Sequence, residues 1–152
     1  MKIRTYQSTD LMAIRQLFKR TILQSNAKDY SAPQLAAWIG TDDEQTRTAW
    51  QQSLSAHLTL VAIQAGQLIG FADMTTSGYL DRLYVAKDYQ CQGVATALVT
   101  ALEAGVAVKR YTTAASITAR PFFECQGYQV SCSQQVERQG ILLTNYLMQK
   151  TI

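Results

Sequence analysis

Cysteine is scarce in this 152-residue chain: Cys91, Cys125 and Cys132 are odd in number and show no CxxC spacing. That pattern supplies neither a disulfide framework nor a zinc site, so reduced thiols and no metal are expected. Long apolar runs are missing as well. No segment approaches the roughly 20 apolar residues of a membrane span, and the opening MKIRTYQSTD lacks the apolar core of a signal peptide. A cytoplasmic protein with no membrane partner is expected. Charge of one sign is also short, with 14 Lys and Arg against 11 Asp and Glu for a formal charge of +3. No basic run is interleaved with aromatics, so nucleic acid is not an expected partner. The lone histidine, His57, precedes a strand without an evident partner and reads as exposed or structural. Neither a P-loop nor the three-glycine dinucleotide fingerprint occurs, which excludes the commonest nucleotide sites.

What is present is 47 % apolar residues in a length that suits one globular domain, residues 1–152. Lys2 to Tyr6 alternates like a strand, and Thr9 or Asp10 can cap a helix whose apolar face is Leu11, Ile14, Leu17, Phe18 and Leu23. A second helix is expected from Ser31 to Gly40, with Pro33 in its first turn, and a third from a Thr41 or Asp42 cap to about Leu54. LTLVAIQ and LIGFADM read as a hairpin, followed by a third strand, YLDRLYV. After the loop AKDYQCQG comes a helix from Val94 with Leu98, Ala101 and Leu102 on one face. YTTAA is a further strand, and Ile117 to Cys125 a short helix ended by Gly127. Strands from Tyr128 to Gln134 and Ile141 to Lys150 follow, joined by a turn at Arg138 to Gly140. The order predicts an α/β fold with a mixed, mostly antiparallel central sheet and helices on both faces.

Gln90 to Thr96 is the most informative stretch. A strand end running through QCQGVAT into a helix presents several unpaired amides at the positive end of the helix dipole, a site for phosphate oxygens. Gly93 permits close backbone approach, and Ala95 is small enough for a phosphate to settle on the helix terminus.

LYV followed by KDYQCQGVATALV resembles the Q/RxxGxG/A signature of the GCN5-related N-acetyltransferases (GNAT), with Gln90, Gly93 and Ala95 at the matched positions. SITARPFFECQGY is similar to that family's later cofactor motif, with Ala119, Phe122, Phe123, Gly127 and Tyr128 in register, and the element order matches over the whole chain. The resemblance implies acetyl-coenzyme A as acyl donor, held where the fourth and fifth strands splay apart. By the same resemblance, Leu83, Tyr84 and Val85 meet the pantetheine arm. The amides of Cys91, Gln92, Gly93, Val94, Ala95 and Thr96 meet the pyrophosphate, while Ser116, Ala119, Phe122 and Phe123 line the other side.

Acetyl transfer to an amine needs a base for the ammonium and often an acid for the departing thiolate. Asp81, on the strand leading into LYV, is the candidate base; the alternative is a solvent-facing charge paired with Arg82 or Arg4. Asp73 is a second possibility, because alternate residues of its strand face one side. The family's usual acid, a tyrosine, is Phe123 here and has no proton to give. Among the other phenols Tyr128, Tyr84 and Tyr146 could serve, none favoured by spacing, and Tyr128 and Tyr146 are taken as candidates. The asparagine that often begins the second motif is Ser116.

Tyr30 and Trp38 fall in the segment that closes over the acceptor in this family and are candidate substrate contacts. For Trp38, and for Trp50 in the same segment, core packing is the favoured reading. Arg120, Lys87, Lys109 and Arg110 could reach the 3′-phosphate of coenzyme A, against a default of solvated charge. The expected activity is transfer of acetyl from acetyl-coenzyme A to a primary amine of a small molecule or peptide by direct attack. Its rival is a non-catalytic acyl-coenzyme A sensor, kept open by Phe123. The apolar ILL and YLM runs of the last hairpin could pair across a two-fold axis in a homodimer.

Overall fold

The computed structural model describes all 152 residues. Its strands are β1 (Lys2–Thr5), β2 (Leu58–Gln64), β3 (Gln67–Met74), β4 (Tyr79–Val85), β5 (Arg110–Ser116), β6 (Gln129–Arg138) and β7 (Ile141–Thr151). The helices are α1 (Leu11–Ser25), α2 (Ala32–Ile39), α3 (Glu44–Ala56), α4 (Val94–Gly105) and α5 (Arg120–Cys125). All strands lie in one sheet, ordered β1-β2-β3-β4-β5-β7-β6. Every neighbouring pair is antiparallel except β4 and β5.

Period-two alternation decides which helix each strand residue meets. In β2, Leu60 and Ala62 pack with Val94, Leu98 and Leu102 of α4 on one face. Val61 points the other way and joins Ile14, Leu17, Phe18 and Ile22 of α1, together with Leu35 of α2 and Leu54 of α3. The mixed, mostly antiparallel sheet with helices on both faces is therefore the observed architecture.

Helix starts obey local capping. Ser31 Oγ accepts the Gln34 amide at 3.3 Å, with Gln34 bonding back to the Ser31 amide, and Gly40 closes α2 at φ +68°. Asp43, one residue beyond the expected Thr41 or Asp42, caps α3 by accepting the Thr46 amide at 2.8 Å. A 3₁₀ turn (Ser8–Asp10) precedes α1, and Asp10 bonds the Gln7 amide and Arg4. Leu23, expected on the apolar face of α1, is 50 % exposed because it sits about 100° round the helix from buried Ile22, off the packed stripe.

Two departures concern the C-terminal half. The helix foreseen from Ile117 starts at Arg120, because the Ala119 amide bonds Ser116 Oγ at 3.0 Å and the chain turns before it coils. β7, with its ILL and YLM runs, lies between β5 and β6, so its backbone is paired on both sides and offers no edge for a two-fold partner. The free edge at that end of the sheet is β6.

Candidate active site

β4 and β5 run parallel and pair only at Tyr79 with Thr112 and Leu80 with Thr113. Buried Thr113 ties the two strands there, its Oγ donating to the Leu80 carbonyl at 2.8 Å. Beyond that link the strands separate. The gap is a cleft of about 400 Å³ lined by Asp81 to Val85 on one side and Ala114 to Ser116 on the other. Since β4 past Leu80 has a ladder partner only in β3, its backbone groups on the β5 side are left to bond a ligand lying along the strand.

The cleft leads to the N-terminus of α4. None of the amides from Cys91 to Thr96 makes an intramolecular hydrogen bond, and the first that does is Ala97, to the Gly93 carbonyl at 3.0 Å. Cys91 at φ +60° and Gly93 at φ +87° turn this run of N–H groups into an anion-binding nest at the positive helix end. A Cβ built on Gly93 meets nothing within 4 Å, so its left-handed backbone, rather than crowding, requires glycine. The Gln90 side chain positions the loop, donating to the Val85 carbonyl and to Ser25 Oγ, each at 3.0 Å. That bond links β4, α1 and the nest. Gln92 is exposed with its amide on Asp88, and the Val94 side chain is buried against the core, so these two contribute backbone rather than side chain.

Asp81 has no cross-strand partner, because Asp73 faces Arg82 and Met74 faces Leu80 across the β3–β4 ladder. Such an irregularity re-aims a side chain, and it delivers Asp81 into the cleft. The Asp81 carboxylate lies 3.7 Å from Arg82 Nη2. Arg82 is held in turn by Asp73 at 2.9 Å, by Ser53 Oγ at 2.7 Å and over the Trp50 ring at 4.3 Å. Asp73 is fully buried and does not line the cleft. Burial pushes its carboxyl up, opposed by Arg82 and by the hydrogen bond from His57. His57 thus has the partner its sequence context did not reveal: Nδ1 lies 2.8 Å from Asp73 Oδ2. Oxygens of Asp73 and Asp81 and a nitrogen of His57 gather within 4.8 Å, and the Arg82 guanidinium is the cation these carboxylates hold.

The expected cofactor contacts Leu83, Tyr84, Val85, Gln90, Cys91, Gly93, Ala95, Thr96, Ser116, Ala119, Phe122 and Phe123 all line the cleft. Ser116 Oγ accepts the Ala119 amide and keeps its own proton to donate. Trp38 also lines the cleft, as does Tyr84, whose phenol burial pushes above its ordinary range and so keeps protonated.

Three expected residues are placed elsewhere. Tyr128 is 2 % exposed in the α4-side core; its hydroxyl donates to Glu103 at 2.8 Å, and burial and that carboxylate push the phenol up, so it is no acid for the cleft. The Tyr146 ring lies beneath Arg120 at 4.5 Å and is outside the lining. Tyr30 is buried, donating to the Thr144 carbonyl at 2.7 Å and accepting the Ile117 amide at 2.9 Å, so it fastens the wall instead of facing a substrate. Of the basic candidates for a 3′-phosphate, Arg120, Lys87, Lys109 and Arg110, none lines the cleft. Residues not foreseen are Thr21, Ser25, Asn26 and Lys28 at the end of α1, and Tyr89 before the nest. Their mostly neutral side chains follow no motif, and only the Gln90–Ser25 contact reveals that the end of α1 closes the cleft.

A sheet opened between two parallel strands, beside a nest of unused amides, defines an acyltransferase-type α/β protein. The comparisons with known proteins agree. The acetyltransferase (GNAT) domain model matches residues 26–150. The chain is 34 % identical over 148 residues to the uncharacterized N-acetyltransferase YafP of Escherichia coli K12, covering 97 % of this chain and 94 % of that one. It is similar, at TM-score 0.92 and 33 % identity, to the crystal structure of a GCN5-related N-acetyltransferase of Rhodopseudomonas palustris, also called Aminotransferase, Class-II, with 99 % and 95 % of the chains covered. The PaiA N-acetyltransferase of Thermoplasma acidophilum, solved with coenzyme A, shares the fold at TM-score 0.77 and 17 % identity, over 99 % and 98 % of the chains. The chain belongs to the GCN5-related N-acetyltransferases and is an acetyl-coenzyme A-dependent acetyltransferase. No helix is long and apolar enough to cross a membrane.

Proposed function

We propose that residues 1–152 act as one cytosolic domain that transfers acetyl from acetyl-coenzyme A to a primary amine of a small molecule or peptide, by direct attack. The observation that carries this reading is the delivery of Asp81, at an irregularity of the β4 ladder, into the same cleft that ends on the unused amides of Cys91 to Thr96. The amides hold the diphosphate, and the unpaired side of β4 holds the pantetheine arm.

An alkylammonium with a pKa of about 10 must lose a proton before its lone pair can attack. Asp81 takes that proton, the amine nitrogen bonds to the thioester carbon, and the carbon–sulfur bond breaks, while the second proton that the nitrogen gives up replaces the one the acid supplies to the thiolate. Phe123 cannot protonate the thiolate. Tyr84, protonated and on β4 beside Asp81, is the cleft-lining phenol assigned to that role in place of Tyr128, with Tyr89 farther off before the nest. The acceptor lies among Trp38, Tyr84 and Asp81, an aromatic wall with one carboxylate, which suits an amine borne on an apolar or aromatic body.

Thiol release from acetyl-coenzyme A, followed with arylalkylamines, polyamines, aminoglycosides and peptide amino termini, tests the reading. Release matched by acetylated amine supports it. Tight coenzyme A binding without release on any acceptor favours the non-catalytic sensor.

A further inference from the structure

His57 is the only histidine in the chain, and it is built into a network that the transfer step leaves unused. It follows the C-terminus of α3, where its backbone amide bonds the Ser53 carbonyl at 3.0 Å, and its ring meets buried Asp73 at 2.8 Å. An ionised carboxylate only accepts, so the Nδ1 of the neutral ring carries the proton and Nε2 keeps a lone pair. Arg82 grips the same oxygen of Asp73 at 2.9 Å and reaches Asp81 at 3.7 Å, so one guanidinium fixes both carboxylates. One nitrogen of the His57 ring and one Asp81 oxygen lie within 4.8 Å of each other, close enough for bridging water to connect ring and carboxylate. His57 also lines a second cavity with Tyr6, Gln51, Ser55 and Thr59. His57 therefore borders both the carboxylates beside the cleft and a separate opening to solvent.

We infer that His57, oriented by Asp73, receives the proton that Asp81 takes from the substrate ammonium and passes it to solvent through the second cavity. The inference rests on the reading of Asp81 as base. The ammonium N–H bond breaks as the Asp81 O–H bond forms. Asp81 then yields its proton through bridging water to Nε2 of His57, restoring the carboxylate and leaving an imidazolium whose Nδ1–H is held by Asp73. Loss of the Nε2 proton to bulk water resets the ring, and no oxidant or reductant is involved. Asp73 and Arg82 are positioning residues. The charged and titratable groups facing this path are Asp73 from β3, Tyr79, Asp81 and Arg82 from β4, and Tyr6 across the second cavity.

The test compares the wild-type enzyme with His57→Gln in acetyl-coenzyme A-dependent acetylation of phenethylamine, or of the fastest acceptor among the amines above. The expected result is a kcat lowered about 10-fold or more, an unchanged KM for acetyl-coenzyme A, an altered acid limb of the kcat–pH profile, and partial recovery on adding imidazole. An unchanged kcat and pH profile in an enzyme that turns over normally would overturn the inference while leaving the acetyltransferase reading intact. A wild-type enzyme that acetylates none of these amines removes both. Long-range proton–nitrogen spectra of the single histidine, in coenzyme A-loaded protein freed of any affinity tag, need no variant to fold. They should show the neutral ring as the Nδ1–H form. The Nε2–H form would contradict the relay.

Discussion

Asp81 is the base in the proposed reaction, and its substitution separates catalysis from binding. Asp81→Asn keeps the shape and removes the base, so kcat should fall by about 100-fold or more. The loss should steepen at lower pH, where the amine is protonated, while affinity for coenzyme A changes little because Asp81 is not in the nest. A kcat within two-fold of wild type would remove Asp81 from the mechanism. The sequence pointed to Asp81 through its place before LYV, but the irregular register that aims it was invisible, since such a feature depends on both strands. Tyr128 shows the opposite error. Its place in the second motif suggested an acid, yet a phenol followed by a strand turned inward onto Glu103 and Lys150, which lie 2.8 Å apart. His57 was passed over because its partner Asp73 is 16 residues away and meets it only in the folded sheet.

Asp10 offers a second test at the same scale. Arg4 holds its carboxyl below the usual range through a hydrogen bond, against the opposing effect of burial. A depressed folded-state value means that the contribution is complete above the unfolded value of about 4 and is lost as pH falls through the folded one. Asp10→Asn should therefore be less stable than wild type at pH 7 by about 1 kcal/mol, with the two denaturation curves converging as pH drops below about 4. A gap that persists at pH 2 would show that the pair acts otherwise than through this charge.

At the scale of elements, the cleft exists because β4 and β5 share so short a ladder, and Thr113 marks where they part. Thr113→Val keeps the volume but removes the bond to Leu80. It should cost about 1 kcal/mol of stability, a melting temperature lower by about 2–4 °C, and a raised KM for acetyl-coenzyme A. An unaltered KM would show that the opening is set elsewhere along the strands. Strands and helices were largely legible from alternation and capping, because those patterns are local. Their exact ends were not. TDD before α3 offers three adjacent capping residues, and only packing selects Asp43; Ser116 diverts the chain before α5 for the same kind of local reason. Which strand of the last hairpin lies at the edge was not legible, because the sheet order, which encloses β7 and leaves β6 free, is a long-range property.

Across the whole molecule, two helical layers clamp one sheet, and the cleft runs between them from Asp81 to the start of α4. A ligand that fills it binds only the folded chain. Coenzyme A at about 100 times its Kd should add about 2.7 kcal/mol, a rise in melting temperature of about 5–10 °C. No rise at that saturation would mean that the cleft does not hold it. The family was readable over the whole length because its motifs lie on the nest and on the opposite wall of the cleft. The acceptor was not, since the cleft residues at the end of α1, Thr21, Ser25 and Asn26, are neutral and follow no motif. The most direct measurement is a crystal structure with coenzyme A bound. The diphosphate oxygens should lie about 3 Å from the amides of Cys91 to Thr96, with the sulfur between β4 and β5 on the side of Asp81. A diphosphate bound away from that nest, or a sulfur turned from Asp81, would contradict the account.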